Sequence, residues 1–244
     1  MIDLHCHVLP GIDDGAKTMD ESLSLIQAAI DDGITRIICT PHIQPGIYDN
    51  TLASITDVFS QLKEQVTHHS LNIELAFAAE VRLCPEIMVL AKQNKLPFIG
   101  LWQEQQVLLL ELPHSHVPAG TEQLINWLKK NGIIAMIAHP ERNRDILADF
   151  SKFKQLARTG CLFQITAASV CGDFGEKIQQ LSYKLLLDDL VSIIATDAHS
   201  IKRRPPKLSQ AKAKVAELVG LEKAHQLVYE IPKLISESKF SAFT

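Results

Sequence analysis

Short apolar runs alternate along this chain with segments whose apolar residues recur every three or four positions. A run lacking period-two polarity reads as a strand covered on both faces. Three-to-four spacing reads as a helix with one buried stripe. Seven stretches fit the strand pattern: residues 1–4, 36–40, 73–79, 107–110, 133–138, 162–165 and 191–195. Helices are predicted between them. Thr18-Met-Asp-Glu21 reads as a capping box that opens a helix with Leu23, Ile26 and Ile30 on one stripe, and Gly33 ends it. Leu52, Ile55, Phe59, Leu62 and Val66 mark the next, and residues 85–93, 121–131, 145–158, 175–188 and 207–219 carry others. This alternation predicts α/β architecture around a mostly parallel sheet, with a closed barrel and an open sheet both still allowed. No linker, low-complexity tract or charge block interrupts it, so residues 1–244 read as one domain.

Composition narrows the class. With 46% hydrophobic residues the chain can bury a sizeable core, which excludes disorder. A formal net charge of −4 gives no electrostatic reason to expect nucleic acid or an anionic membrane as partner. The five cysteines are odd in number and form no C-x-x-C pair, so reduced thiols fit better than a disulfide framework. Asp3, His5 and His7 occupy the place of a basic-then-apolar leader, and no apolar run approaches the ~20 residues that span a bilayer. The expectation is a soluble, cytoplasmic protein that is not embedded in a membrane.

The chemistry lies where the strands end. His5, His42, Glu80, Glu111, His139 and the Asp197/His199 pair each follow an apolar run. In a parallel α/β barrel those ends converge on one face. A polar residue past a strand is commonly a turn former or helix cap. Here nearly every end carries His, Asp or Glu, a donor set suited to Zn, Mn or Fe. His5-x-His7 on an extended chain points both rings the same way, and Asp197-x-His199 repeats that spacing. His68, His69 and His225 fall in predicted helices and read as surface or packing residues. His114 and His116 lie just past a strand, where they could line the pocket mouth or protonate a leaving group, and the rim role is preferred because Glu111 already takes the inward strand-end position.

Taken in order, Asp3-Leu-His5-Cys-His7, Thr40-Pro-His42, Glu80, His139-Pro-Glu-Arg142 and Thr196-Asp-Ala-His199 resemble the motifs of the PHP (polymerase and histidinol phosphatase) superfamily. The fuller strings Leu9-Pro-Gly-Ile-Asp-Asp14-Gly, Leu110-Glu111, His139-Pro-Glu-Arg-Asn143-Arg and Arg204-Pro-Pro resemble the bacterial manganese-dependent protein-tyrosine phosphatases of capsule and exopolysaccharide systems. The likeness runs from residue 1 to about residue 215. It implies a distorted seven-stranded, TIM-like (β/α) barrel with up to three divalent ions, Mn by the family's name, with Fe, Zn or Co also compatible. By the same likeness His5, His7, Glu80 and Asp197 hold the first ion. Glu80 bridges to a second, completed by Glu111 and His139, and Asp14, His42 and His199 hold the third. Thr196 stands where many relatives have Ser and keeps the hydroxyl. The implied substrate is the phosphotyrosine tail of a membrane-bound bacterial tyrosine autokinase.

A divalent cluster suits phosphoester hydrolysis because it activates water and neutralises phosphoryl charge. Arg142 and Arg204 add guanidinium forks able to pair with two phosphate oxygens, though an Arg in either place can instead pair with a rim carboxylate. Arg203 adjoins Arg204, and which of the two faces substrate is open. Competing chemistries fail on spacing. No Cys is followed by an Arg after five intervening residues, as a cysteine phosphatase requires. No G-x-x-x-x-G-K-[ST] loop or G-x-S-x-G elbow occurs. The remaining alternatives are a histidinol-phosphate phosphatase, another small-molecule PHP phosphoesterase, or a metal-stabilised binding module of the polymerase-associated kind.

Overall fold

Each of the seven apolar stretches forms a strand in the computed structural model, which describes residues 1–240. In chain order the strands are β1 (Ile2–Cys6), β2 (Arg36–Cys39), β3 (His42–Ile43), β4 (Glu74–Phe77) and β5 (Glu80–Arg82). They continue with β6 (Gly100–Trp102), β7 (Gln105–Glu111), β8 (Ile133–Ala138), β9 (Leu162–Thr166) and β10 (Ile193–Ala195). The architecture is mixed α/β. One sheet has the order β1-β2-β4 and the other β10-β9-β8-β7-β5-β3. Every pairing on these paths is parallel, and β6 adds to β7 antiparallel.

Beyond the expected strands 36–40 and 73–79 the chain continues, after a break, into the other sheet, β2 into β3 and β4 into β5. Pro41 lies at the first break, where it has no N–H to offer a ladder. Hydrogen bonds nevertheless cross both breaks, from Ala78 N to the Cys39 carbonyl (2.9 Å) and from Glu80 N to the Pro41 carbonyl (3.1 Å). The sheets also meet at their other ends. Asp197 N donates to the His5 carbonyl (2.7 Å), and His7 N donates to that of Ala198 (2.8 Å).

Two further details depart from the sequence expectation. Strand β6 exists because Gln103 and Glu104 both take positive φ, 49° and 66°, and so close a two-residue hairpin without the usual Asn or Gly. The helix predicted over residues 145–158 is two, Arg144–Ala148 and Ser151–Ala157. Asp149 turns extended between them, and its carboxylate accepts from the Ser151 N–H. Residues 241–244, the tail of the expected domain, lie outside the described residues.

Strand alternation divides the interior into two apolar clusters. Leu108, Leu110, Ala135 and Ile137 pack with helical residues such as Ile125, Leu128 and Phe153. Val107, Leu109, Ile134 and Met136 belong to the other cluster, together with Ile2, Leu4, Ile38, Ala76 and Ile193 from strands of both sheets. Period two then carries that second face into polar positions. Ala76 and Ala78 share their face with Glu80, and Val107 and Leu109 share theirs with Glu111. The same alternation that fills the core therefore delivers carboxylates at its upper edge.

Candidate metal centre

The first arm is β1 and the loop after it. A register irregularity between Asp3 and Cys6 ends the regular pairing with β2, and His5 and His7 bring their Nε2 atoms to 3.2 Å. Each ring is aimed by its other nitrogen. His5 Nδ1–H donates to Gln164 Oε1 and His7 Nδ1–H to Asp13 Oδ2, both at 2.8 Å, which leaves Nε2 as the electron-pair donor. Asp13 also accepts from the backbone of Gly15 and His42. At Gly15 a Cβ would lie 2.0 Å from the His7 carbonyl oxygen, so only glycine lets the loop lie this close. Buried Asp3 accepts from the hydroxyl and backbone N–H of Thr196, which ties β1 to the segment carrying Asp197.

Glu80, at the start of β5, sits centrally. Its Oε2 lies 3.4 Å from His5 Nε2, 3.5 Å from His7 Nε2 and 3.0 Å from His42 Nδ1, and its Oε1 lies 2.8 Å from His139 Nε2. Asp197 Oδ1 is 3.3 Å from His5 Nε2 and 3.4 Å from His7 Nε2. Glu111 Oε1 is 3.9 Å from His139 Nε2, and its Oε2 is 3.7 Å from His42 Nδ1. Asp14 Oδ1 lies 3.3 Å from Nε2 of both His42 and His199. All nine residues named from the sequence as ligands thus lie together. Their donor atoms form overlapping sets within 4.8 Å: His5/His7/Glu80, His5/His139/Asp197, His42/Glu80/Glu111 and His7/Asp14/His42/His199.

Arg142 Nη1 and Arg204 Nη2 both donate to Asp197 Oδ2. The rim-carboxylate pairing that the sequence left open is therefore present in this state. Arg204, not the exposed Arg203, lines the cavity. His114 also lines it, its ring stacked on His139 at 5.6 Å between centroids, whereas His116 turns to Ser115 and is not among the lining residues. His68, His69 and His225 stand apart, with His69 just beyond its helix rather than in it. One expectation fails in detail. Asp197-x-His199 is not an extended pair, because Asp197 has φ 52° and His199 Nδ1–H turns back to the Asp197 carbonyl (2.9 Å). His139, at φ 33°, is likewise left-handed. Each such non-glycine conformation costs on the order of 1–3 kcal/mol, held by its surroundings.

Sequence reasoning missed Asp13, Gln164 and Arg82. Gln164 had a signal, being an amide within the apolar run Leu162–Thr166. Arg82 had a weaker one, two residues beyond Glu80. Its guanidinium lies 3.1 Å from Glu111 Oε2 and bonds the Leu112 carbonyl and Gln44.

The charge balance fits divalent cations. Glu80 Oε2, Glu111 Oε2 and His199 Nε2 are buried and lack a hydrogen-bond partner among the described residues, although such atoms are normally paired. Burial, then the charge of Glu80, pushes the Glu111 carboxyl up to about 7. Burial, then the nearby Arg142, pushes His139 down to about 3 and favours the neutral, electron-donating ring. Burial also lowers His42, but the Asp14 and Glu80 carboxylates outweigh it and hold the ring at about 9. Buried carboxylates gathered against imidazole rings form a donor set for cations of the Mn, Fe or Zn kind.

A model of the family described as capsular polysaccharide synthesis, CpsB/CapC, matches residues 1–237. This chain belongs to the CpsB/CapC family. Among curated relatives of this CpsB/CapC member, the tyrosine-protein phosphatase YwqE of Bacillus subtilis is 35% identical over 239 residues. That match covers 98% of this chain and 89% of YwqE. The putative tyrosine-protein phosphatase CapC of Staphylococcus aureus is 36% identical over 86% of this chain and 81% of its own. A crystal structure from work on B. subtilis YwqE and Streptococcus pneumoniae CpsB, described as unique metal-dependent tyrosine phosphatases, superposes with a TM-score of 0.91. It has 33% identity and covers 98% of this chain and 95% of that one.

Proposed function

We propose that this CpsB/CapC family member is a metal-dependent phosphatase that removes phosphate from protein phosphotyrosine. One observation carries the reading. Buried atoms that lack a hydrogen-bond partner among the described residues share one cavity of about 280 Å³ with Arg142 and Arg204, in a chain whose relatives are named tyrosine-protein phosphatases. His5, His7, Glu80 and Asp197 would hold one ion, Glu80, Glu111 and His139 a second, and Asp14, His42 and His199 a third, with manganese the occupant we favour. Bound divalent ions supply charge stabilisation at phosphoryl oxygens and activate water.

The chain's own residues do the rest. Gln164 and Asp13 orient the rings of His5 and His7 through Nδ1, so that in the neutral form both Nε2 atoms offer a lone pair to the cluster. Arg142 and Arg204 rest on Asp197 Oδ2, and an incoming phosphate offers both guanidinia further acceptors in the geometry that a fork prefers. Phenolate, with a pKa of about 10, leaves with less protonation than an alkoxide requires.

The two sheets are best described as one distorted seven-stranded barrel. Strands of both share one apolar cluster, and hydrogen bonds join β1 to the segment after β10. We take residues 1–244 as a single domain. None of the described helices is long and apolar enough to cross a membrane, and the five cysteines are free thiols. Both facts suit action in the cytoplasm on the tyrosine-bearing tail of a polysaccharide-export autokinase.

The test is hydrolysis by manganese-loaded protein of a phosphotyrosyl peptide, the matching phosphoseryl peptide and histidinol phosphate. The phosphotyrosyl peptide is expected to be cleaved fastest. Arg142→Ala is expected to lower kcat/KM about a hundredfold, as loss of a charge-assisted pair in the transition state does. Faster cleavage of histidinol phosphate would move the protein to a different activity.

A further inference from the structure

The cavity over the donor cluster is almost wholly polar, with one exception. Ile47 is the one aliphatic side chain lining it among the described residues, and it is 64% exposed. Beside it, the ring of Tyr48 lies parallel to that of His42, at 5.4 Å between centroids and 11° between planes. An isoleucine left in water at the lip of a charged pocket has no packing role to explain it.

The segment that presents this pair is tightly braced. Gln44 and Tyr48 exchange backbone hydrogen bonds at 3.0 and 2.8 Å, and Ile47 N also donates to the Gln44 carbonyl. Gly46 takes φ +80°, and its N–H donates to Asp49 Oδ1 at 2.7 Å. Asn50 donates from Nδ2 to the carbonyls of His42 and Ile12, and Arg82 reaches Gln44 Oε1. The loop is therefore built onto His42 and Arg82, two residues of the cavity itself. It holds an apolar edge and an aromatic edge at fixed height above the donor cluster and the two arginines.

We infer that Ile47 and Tyr48 form the wall against which the phenyl ring of a phosphotyrosine lies while its phosphate reaches the cavity floor. The inference rests on the phosphatase reading and adds the residues that select an aryl ester. The occupant follows from continuity: the same cavity carries Arg142 and Arg204 for the phosphate and an apolar lip for whatever hydrocarbon follows it. A phosphorylated serine has no ring to cover Ile47 and would have to bring its peptide backbone down to the charged rim. An aryl ester gains burial of one ring face and keeps the backbone outside.

The experiment separates ring from phosphate. Manganese-loaded protein is titrated calorimetrically with phenylphosphonate and with inorganic phosphate, for the wild type, Ile47→Ser and Ile47→Leu. Ile47→Ser is expected to raise the Kd for phenylphosphonate about fivefold, the scale of one lost apolar contact face, and to leave that for phosphate unchanged. Ile47→Leu is expected to retain the wild-type ratio, and KM for a phosphotyrosyl peptide is expected to follow the phenylphosphonate Kd with kcat little altered. Equal changes for both ligands, no change for either, or a loss in Ile47→Leu as large as in Ile47→Ser would each overturn the assignment. Failure of the wild-type protein to cleave the phosphotyrosyl peptide would instead remove the phosphatase reading beneath it.

Discussion

The bodies of β7 and β8 and the rim above them are built from the same strands to opposite ends. Val107 to Leu110 and the whole of Ile133–Ala138 are buried and apolar, and their backbones pair in register with neighbours on both sides. One residue beyond β8 the chain enters left-handed backbone at His139. The last residue of β7 is Glu111, a buried carboxylate without a hydrogen-bond partner at Oε2. Among the described residues, the buried side-chain polar atoms without a hydrogen-bond partner belong to nine residues, among them His42, Glu80, Arg82, Glu111, His199 and Arg204. None lies in the body of β7 or β8. The strand bodies supply stability by burial, and the rim spends part of it on strain, desolvation and like charge. That contrast is what the proposed divalent ions would account for, since they would partner the rim atoms that no protein group satisfies.

Removing those ions should give the largest effect. Treatment with a chelator is expected to reduce hydrolysis of a phosphotyrosyl peptide to background, with far-ultraviolet circular dichroism unchanged because the strand bodies do not depend on the rim. Restored manganese is expected to recover activity and to raise Tm, since a ligand bound only by the folded state stabilises it, by about 2.7 kcal/mol at a hundred times its Kd. Retention of full activity after metal analysis shows the ions gone would break the comparison at its stronger end.

The complementary perturbation is in the strand body. Leu108 is fully buried in the cluster that faces the helices. Leu108→Ala is expected to cost about 2–5 kcal/mol of unfolding free energy, the sum of lost transfer and an unfilled cavity. Denaturant unfolding measures it. Per folded molecule, kcat/KM is expected to stay within about twofold, because Leu108 points away from the face that ends in Glu111. A large loss of specific activity at full folding would show that the two regions are coupled more tightly than the strand alternation implies.

Legibility followed the same division. The strand bodies could be read from sequence because uninterrupted apolar runs have one economical fate, and residues 133–138 match β8 without correction. The clustering of the rim donors could be expected because nearly every strand end carries His, Asp or Glu, and their donor atoms do lie together. The supporting groups were hidden. Asp13 differs from its neighbour Asp14 only in the direction it faces, inward to His7 rather than to His42 and His199. Strands β3 and β5 were missed because each continues an expected strand past a break, and two or three residues carry no period of their own. The positive φ of Asp197 is set by β1 beside it and by Asp3 through Thr196, contacts spanning nearly the whole chain. Local spacing could only suggest an extended D-x-H pair there.

The smallest effect concerns the thiols, and it probes whether the rim chemistry owes anything to them. Cys6 lies between His5 and His7, but it is fully buried and its thiol is pushed well up by desolvation. Burial also raises Cys39, and it pushes Cys161 and Cys84 each up to about 11. Thiolate is the reactive form, so at pH 7.5 these groups are almost wholly protonated, and labelling rises only as pH climbs toward those values. Iodoacetamide at pH 7.5 is therefore expected to label the native protein slowly, first at the partly exposed Cys84 and Cys171, and to leave phosphatase activity unchanged. Mass spectrometry of the labelled peptides alongside the assay checks both parts. Rapid inactivation with label on Cys6 would mean that the β1 arm opens in solution far more readily than its buried hydrogen bonds to Gln164, Asp13 and Thr196 imply.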